Sequence, residues 1–209
     1  MKFKRPDKPP FAHAYGWITP GEAKFVDKLL LRIFTECGSI SFLEIGVFGG
    51  STVAGVYEWA EAHNCPVHCE GVDLAQGRPV VEALPGYVFH QGDSMDAWRT
   101  FTGTFNLLWV DGCHCINHSM MDFLNYSPFV QVGGYCLFHD TAGSGPDNVQ
   151  GAYAQNHSYA GQPPSVLGVR LGLQRMGLLQ GHRTDWTLVD EIKESEIMGM
   201  MVFKKVKPL

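Results

Sequence analysis

Five short apolar runs in the first two thirds of the chain each carry a carboxylate at or near their carboxyl end. Ile40–Gly46 carries Glu44, Val67–Leu74 carries Asp73 and Gly86–Asp93 ends on Asp93; Phe105–Gly112 carries Asp111 and Tyr135–Asp140 ends on Asp140. Segments of helical spacing separate them: Ser51–His63, capped by Ser51, then Asp93–Phe101 and Asn117–Val130. Strands alternating with helices require a parallel sheet covered on both faces, because parallel neighbours need a crossover. "QVGG", Gln131–Gly134, closes the last of these helices before the fifth strand. Open parallel sheets bind ligands outside the carboxyl ends of their strands, so all five carboxylates are expected on one binding rim.

The end of the chain breaks the alternation. Trp186–Ile192 and Met198–Val206 both read as strands, and the "KESE" between them is too short for a parallel crossover. They are expected to pair as an antiparallel hairpin. The fold class is α/β: a Rossmann-like, seven-stranded, mostly parallel sheet with helices on both faces and a C-terminal antiparallel hairpin. One domain spans 1–209, and 1–38 forms an N-terminal extension and helix. In that helix Thr19 is the N-cap, Pro20 takes the first position, Glu22 completes a capping box and Gly38 ends it. Its apolar face is Phe25, Val26, Leu29, Leu30, Ile33 and Phe34, and packing at the sheet's edge accounts for it. Thr141–Ser165, rich in Gly, Ser, Asn and Pro, is a lid loop or an excursion from the binding edge. Val166–Leu179 reads as a helix weakened by glycines.

Composition narrows the function classes. The net charge of -5 gives no footing for a nucleic-acid backbone. No apolar run reaches the roughly 18 residues needed to span a bilayer, and a signal-like core is missing from the N-terminus. Six scattered cysteines suit a reducing, cytoplasmic compartment. In "CHC", Cys113–Cys115, adjacent side chains diverge and no second ligand pair follows at finger spacing, which argues against zinc.

The turn after the first strand, Gly46-Val47-Phe48-Gly49-Gly50, resembles a nucleotide-binding loop. Phe48 stands where a dinucleotide fold needs its second glycine, and no lysine follows as in a phosphate loop. Glu44 repels an anion and suits a cation such as the amino group of a methionine moiety. Asp73 is placed to accept the ribose hydroxyls of an adenosine, or to cap the following turn. Asp93, with Ser94 beside it, is placed to receive the adenine amino group. The turn therefore fits S-adenosylmethionine better than NAD.

"EIGVFGGST", "GVDL", "GDS", "WVDGCHCINHSMMDF" and "VGGYCLFHDT" together resemble class I S-adenosylmethionine-dependent methyltransferases. More narrowly they are similar to the small-molecule O-methyltransferase branch that includes macrolide sugar O-methyltransferases and cephalosporin-hydroxylase-like proteins. The resemblance runs from about Trp17 to Val206. It implies cofactor contacts at Glu44, Gly46, Phe48, Gly49, Ser51, Thr52, Asp73, Leu74, Asp93, Ser94 and Asp111. It also implies a magnesium-type site on Asp111, His139 and Asp140, where a histidine ligand shifts preference towards manganese, iron or zinc. Strand-end carboxylates bonded to backbone N–H groups, with His139 partly buried, are the alternative there. A bound ion would lower the pKa of a substrate hydroxyl. His114 is the candidate general base, or else a substrate-orienting or structural residue. His118 is expected to be exposed, and Asp122 matches the acidic residue of the family's helix. The family's usual aromatic two residues after the histidine is Ile116 here. Trp98 and Trp109 shape an acceptor pocket or, more simply, the core.

The expected activity is methyl transfer to a hydroxyl of a small-molecule acceptor, with no nucleic-acid or membrane partner and the oligomeric state open. Two other readings stand: an NAD-dependent oxidoreductase, and a cofactor-binding module without turnover.

Overall fold

The computed structural model describes residues 11, 18–75, 81, 83–142, 168–193 and 199–208. Strands β1 (Ile40–Ile45), β2 (Val67–Asp73), β3 (Val88–Gln91), β4 (Phe105–Val110), β5 (Val130–Phe138), β6 (Trp186–Lys193) and β7 (Gly199–Lys205) form one sheet. Its order is β3-β2-β1-β4-β5-β7-β6. Strands β1 to β5 pair in parallel, while β7 runs antiparallel to both β5 and β6. The seven strands and the final hairpin are those expected from the sequence. Strands β1 and β4 are neighbours, so the chain reverses its direction of sheet growth between them. That is the switch point at which such sheets open a crevice.

Helix α1 (Pro20–Cys37) carries the full capping box: Thr19 Oγ1 accepts from Glu22 N at 3.1 Å, and Thr19 N donates to Glu22 Oε2 at 2.8 Å. Gly38 closes it in the left-handed conformation at φ 76°. Val26, Leu29, Leu30 and Ile33 are buried. The expected position at the sheet's edge is wrong: α1 lies against the central strands β1 and β4. Its amphipathic face covers Phe42 and Leu107, so the N-terminus of the helix reaches the middle of the rim.

Helix α2 (Ser51–Ala62) begins one residue earlier than a serine cap allows. Gly50, at φ 76°, is the N-cap, and no side chain caps the helix. A Cβ on Gly50 would stand 2.3 Å from Val81 Cγ1, so neither the backbone nor the space admits a serine there. Among the described residues the remaining α-helices are a single turn, α3 (Ser94–Ala97), then α4 (Ile116–Tyr126) and α5 (Val169–Arg175).

Two boundaries differ from the sequence reading. "QVGG" lies inside β5 rather than before it, because Gly133, at φ 87°, lets the strand kink. The register jumps there from Phe105↔Val130 to Leu107↔Tyr135. Helix α5 is shorter than the apolar pattern suggests: Gly168 at φ 155° precedes it and Gly177 at φ 72° follows it. The expected lid lies outside the described residues from 143 onward, as does most of the N-terminal extension.

Two apolar layers sandwich the sheet. Trp59, Trp109, Phe42 and Leu107 fill one, while Phe123, Phe138, Phe203 and Leu108 fill the other. Trp109 is fully buried, so it belongs to the core and not to an acceptor pocket.

Candidate active site

Gly46 sets the geometry of the rim. Its φ is 90°, and a Cβ would lie 2.2 Å from the Asp111 carbonyl oxygen. Only glycine lets the end of β1 pass this close to the end of β4, and Asp111 N donates to Ile45 O at 2.9 Å across the same gap. The turn then rises through Phe48, whose φ of 45° is rare outside glycine and whose ring is 57% exposed. Its N–H donates to Asp73 Oδ2 at 2.7 Å, and Asp73 Oδ1 accepts from Ala75 N at 2.9 Å. Asp73 thus anchors both the glycine turn and its own turn, and part of its capacity serves as a cap. Leu74 beside it is exposed.

Glu44 sits beneath this turn and is 1% exposed. Burial, then the Asp111 charge, pushes its carboxyl well above the usual range, against a hydrogen bond from Thr52. Its Oε2 has no hydrogen-bond partner among the described residues. A buried carboxylate with an orphan oxygen costs stability unless a donor arrives. Ser51 and Thr52 open α2 beside it, with Gly49 preceding them in the turn. On the other side of β2, Asp93 caps α3 by accepting from Met95 N at 2.9 Å, and Ser94 follows it.

The second cluster lies where β4 and β5 end. Asp111, His139 and Asp140 bring their ligand atoms within 4.8 Å of one another. His139 Nδ1 lies 3.1 Å from Asp111 Oδ1 and 3.7 Å from Asp140 Oδ2. His114 bridges the same carboxylates, Nε2 at 3.3 Å from Asp111 Oδ1 and Nδ1 at 3.1 Å from Asp140 Oδ2. Burial opposes charge on His139, but Asp111, Glu22 and Asp140 together outweigh it and hold the imidazole well above its ordinary pKa. His114 is raised against burial by Asp111 and Asp140. Asp111 is depressed despite its own burial, chiefly by the His139 charge, whereas burial leaves Asp140 raised. Asp140 itself holds φ 54°, in the left-handed region.

The sequence reading missed one member of this cluster. Glu22 is fully buried, and its Oε1 lies 3.5 Å from His139 Nε2. In the sequence the capping box by itself explains a glutamate at this position. The two ends of the carboxyl do different work: one oxygen caps α1 and the other faces the rim. His139 is buried more deeply than expected, at 4% exposure.

On the turn into α4 the side chains of "CHC" do not diverge as expected. Cys113, Cys115 and His118 place their donor atoms within 4.8 Å of one another. Cys115 is the N-cap of α4, accepting from His118 N at 3.4 Å, and its Sγ lies 2.8 Å from His118 Nδ1. His118 is therefore half-buried and engaged, not simply exposed. Asp122, one turn further on, is 1% exposed, and burial pushes its carboxyl up to about 7.

The family model described as a methyltransferase domain matches residues 43–141. The matched segment is just under half of the chain and is similar to a methyltransferase domain. It begins in β1 and ends just past Asp140, so it contains the five strand-end carboxylates of the rim, while Glu22 of α1 lies outside it. No curated protein matches the sequence. Among solved structures, the MycE methyltransferase of the mycinamycin biosynthetic pathway, in complex with Mg and SAH, is 18% identical with a TM-score of 0.63. The match covers 97% of this chain and 55% of that chain, so this chain spans about half of MycE. The O-methyltransferase from Bacillus cereus in complex with SAH is 17% identical with a TM-score of 0.60, covering 90% of this chain and 82% of that one. TomG from Streptomyces achromogenes, an O-methyltransferase involved in tomaymycin synthesis and bound to SAM, is 17% identical with a TM-score of 0.55, covering 87% and 79%. At these identities the structural likenesses establish the fold alone, the final hairpin included.

Proposed function

We propose that the chain is an S-adenosylmethionine-dependent O-methyltransferase acting on a hydroxyl of a small molecule, with a divalent ion at Asp111, His139 and Asp140. The observation that carries this reading is the pairing of charges around the Gly46–Gly50 turn. Glu44 offers a buried orphan oxygen beneath it, and α2 starts above it without a side-chain cap. An unpartnered carboxylate suits an ammonium group, and an uncapped helix N-terminus suits a carboxylate. A methionine moiety carries both groups on one carbon. Asp73 at the end of β2 then stands where the ribose hydroxyls need an acceptor, and Asp93 where the adenine amino group does. A pyrophosphate finds no such match, because Glu44 repels it; this weighs against a nicotinamide cofactor.

The donor set at the end of β4 and β5 fits a divalent cation: two carboxylates and one imidazole within reach of a single centre. When bound, such an ion orients a substrate hydroxyl and lowers its pKa. The chain's own residues do the rest. Asp111 and Asp140 hold negative charge at the point where the acceptor must approach. His114 takes the hydroxyl proton only after it has released one ring proton to solvent and that nitrogen has turned from its carboxylate, and Asp111 and Asp140 then stabilise the imidazolium. The methyl passes in line from sulfur to oxygen, so positioning of the two reactants supplies most of the acceleration.

The experiment is transfer of a labelled methyl group from S-adenosylmethionine to a panel of hydroxylated small molecules, with magnesium or manganese present and then chelated. Transfer that depends on the ion supports the proposal. Cofactor binding without transfer to any acceptor would favour a binding module, and chelator-insensitive transfer would remove the metal from the mechanism.

A further inference from the structure

We propose that Cys113, Cys115 and His118 form a second metal site, of the soft zinc class, distinct from the hard-donor cluster at Asp111, His139 and Asp140. The three donor atoms lie within 4.8 Å of one another, near the separation that ligands of one tetrahedral ion adopt. Their convergence has a structural cause. Cys115 caps α4, which curls the chain so that His118, three residues on, returns over the cap. The thiol of Cys113 meets that of Cys115 from the preceding turn. Cys115 is buried, whereas Cys113 and His118 are half-buried, so the site has protein behind it and an approach from solvent.

A second observation points to a ligand. Asp122 follows His118 by one helical turn and is 1% exposed. The Ser94 hydroxyl lies beside it, yet neither carboxylate oxygen makes a hydrogen bond of proper distance and angle among the described residues. Asp122 interacts electrostatically with both His118 and Cys115. Asp122 stands outside the three-donor group, where a buried carboxylate can accept a hydrogen bond from a metal-bound water.

Two sulfurs and an imidazole select zinc, cadmium or cobalt over magnesium, whereas the neighbouring cluster of two carboxylates and one imidazole suits a harder ion. Binding releases the thiol protons to solvent and forms two sulfur–metal bonds. The ion would tie the turn after β4 to the first turn of α4, and that turn carries His114. The inference does not depend on the methyltransferase reading, since it rests on the donor set alone.

The test uses the full chain, reduced and stripped with chelator, titrated with cobalt(II). We expect a thiolate-to-cobalt charge-transfer band that saturates at one equivalent and is displaced by zinc. Cys113→Ser, which leaves the cap of α4 intact, and Cys115→Ser, which replaces it with a hydroxyl, should each weaken affinity at least tenfold and remove most of the band. Asp140→Asn should leave the band unchanged. No thiolate band in the wild type, or an undiminished one in both serine variants, would overturn the site.

Discussion

Glu22 Oε1 faces His139 Nε2 at 3.5 Å, so the first helix of the chain reaches the carboxylate rim built by β4 and β5. The same side chain closes the capping box of α1 through Oε2. Glu22→Gln keeps an acceptor for Thr19 N but removes the charge that steadies the imidazole. Groups that orient a metal ligand typically contribute 10–100-fold to affinity or activity. The variant should therefore lose roughly tenfold in divalent-ion affinity and in ion-stimulated turnover. Its binding of S-adenosylhomocysteine should match the wild type by calorimetry. Equal ion affinity in the two proteins would reduce Glu22 to a cap.

Gly46 tests the packing of the crevice. A Cβ there would meet the Asp111 carbonyl at 2.2 Å, on a residue already at φ 90°. Gly46→Ala should cost about 3 kcal/mol or more, from backbone strain and overpacking together. For a chain of this size that is a fall in Tm of roughly 6–12 °C, read by thermal denaturation. Cofactor affinity should fall as well, because the β1 turn cannot keep its place against β4.

The sequence was most legible where one physical demand acted alone. The alternation of strands and helices, the hairpin and the capping box of α1 each follow from local chemistry, and the structure contains all three. Three features depended on distant residues and were not legible. Val81 against Gly50 moved the cap of α2 off Ser51. The kink at Gly133 carried β5 back through "QVGG". The path of α1 across the central strands brought Glu22 to His139. The convergence of Cys113, Cys115 and His118 was legible in principle, since a cysteine followed three residues later by histidine at a helix start is a capping pair. The expectation that neighbouring side chains diverge obscured it.

Glu44 should show a trade between stability and binding. Its folded pKa lies well above the usual glutamate range, so the folded state holds a proton that the unfolded chain gives up earlier. Stability from this residue is complete below about pH 4.5 and is lost as pH rises through the higher folded value. Glu44→Gln removes that loss. The variant should melt above the wild type at neutral pH, by a margin that shrinks towards pH 4. It should bind S-adenosylhomocysteine roughly ten- to a hundredfold more weakly, the range of a charge-assisted hydrogen bond. A melting margin that does not change with pH would contradict the assignment.

Asp140 separates the metal from the cofactor. Its φ of 54° is tolerated by asparagine, so Asp140→Asn should fold without added backbone strain. Ion-stimulated transfer should fall at least about a hundredfold, while affinity for S-adenosylhomocysteine stays within about twofold. Parallel turnover and calorimetry on the same preparation measure both quantities.

The most direct test of the account is calorimetric titration of S-adenosylhomocysteine into the wild type and Asp73→Ala. Asp73 Oδ2 accepts from Phe48 N at 2.7 Å and Oδ1 from Ala75 N at 2.9 Å, so one carboxylate organises both walls of the proposed nucleoside site. The account predicts measurable one-to-one binding by the wild type and a loss of at least about tenfold in the variant. Equal affinity in the two proteins, or no binding by the wild type, would contradict it.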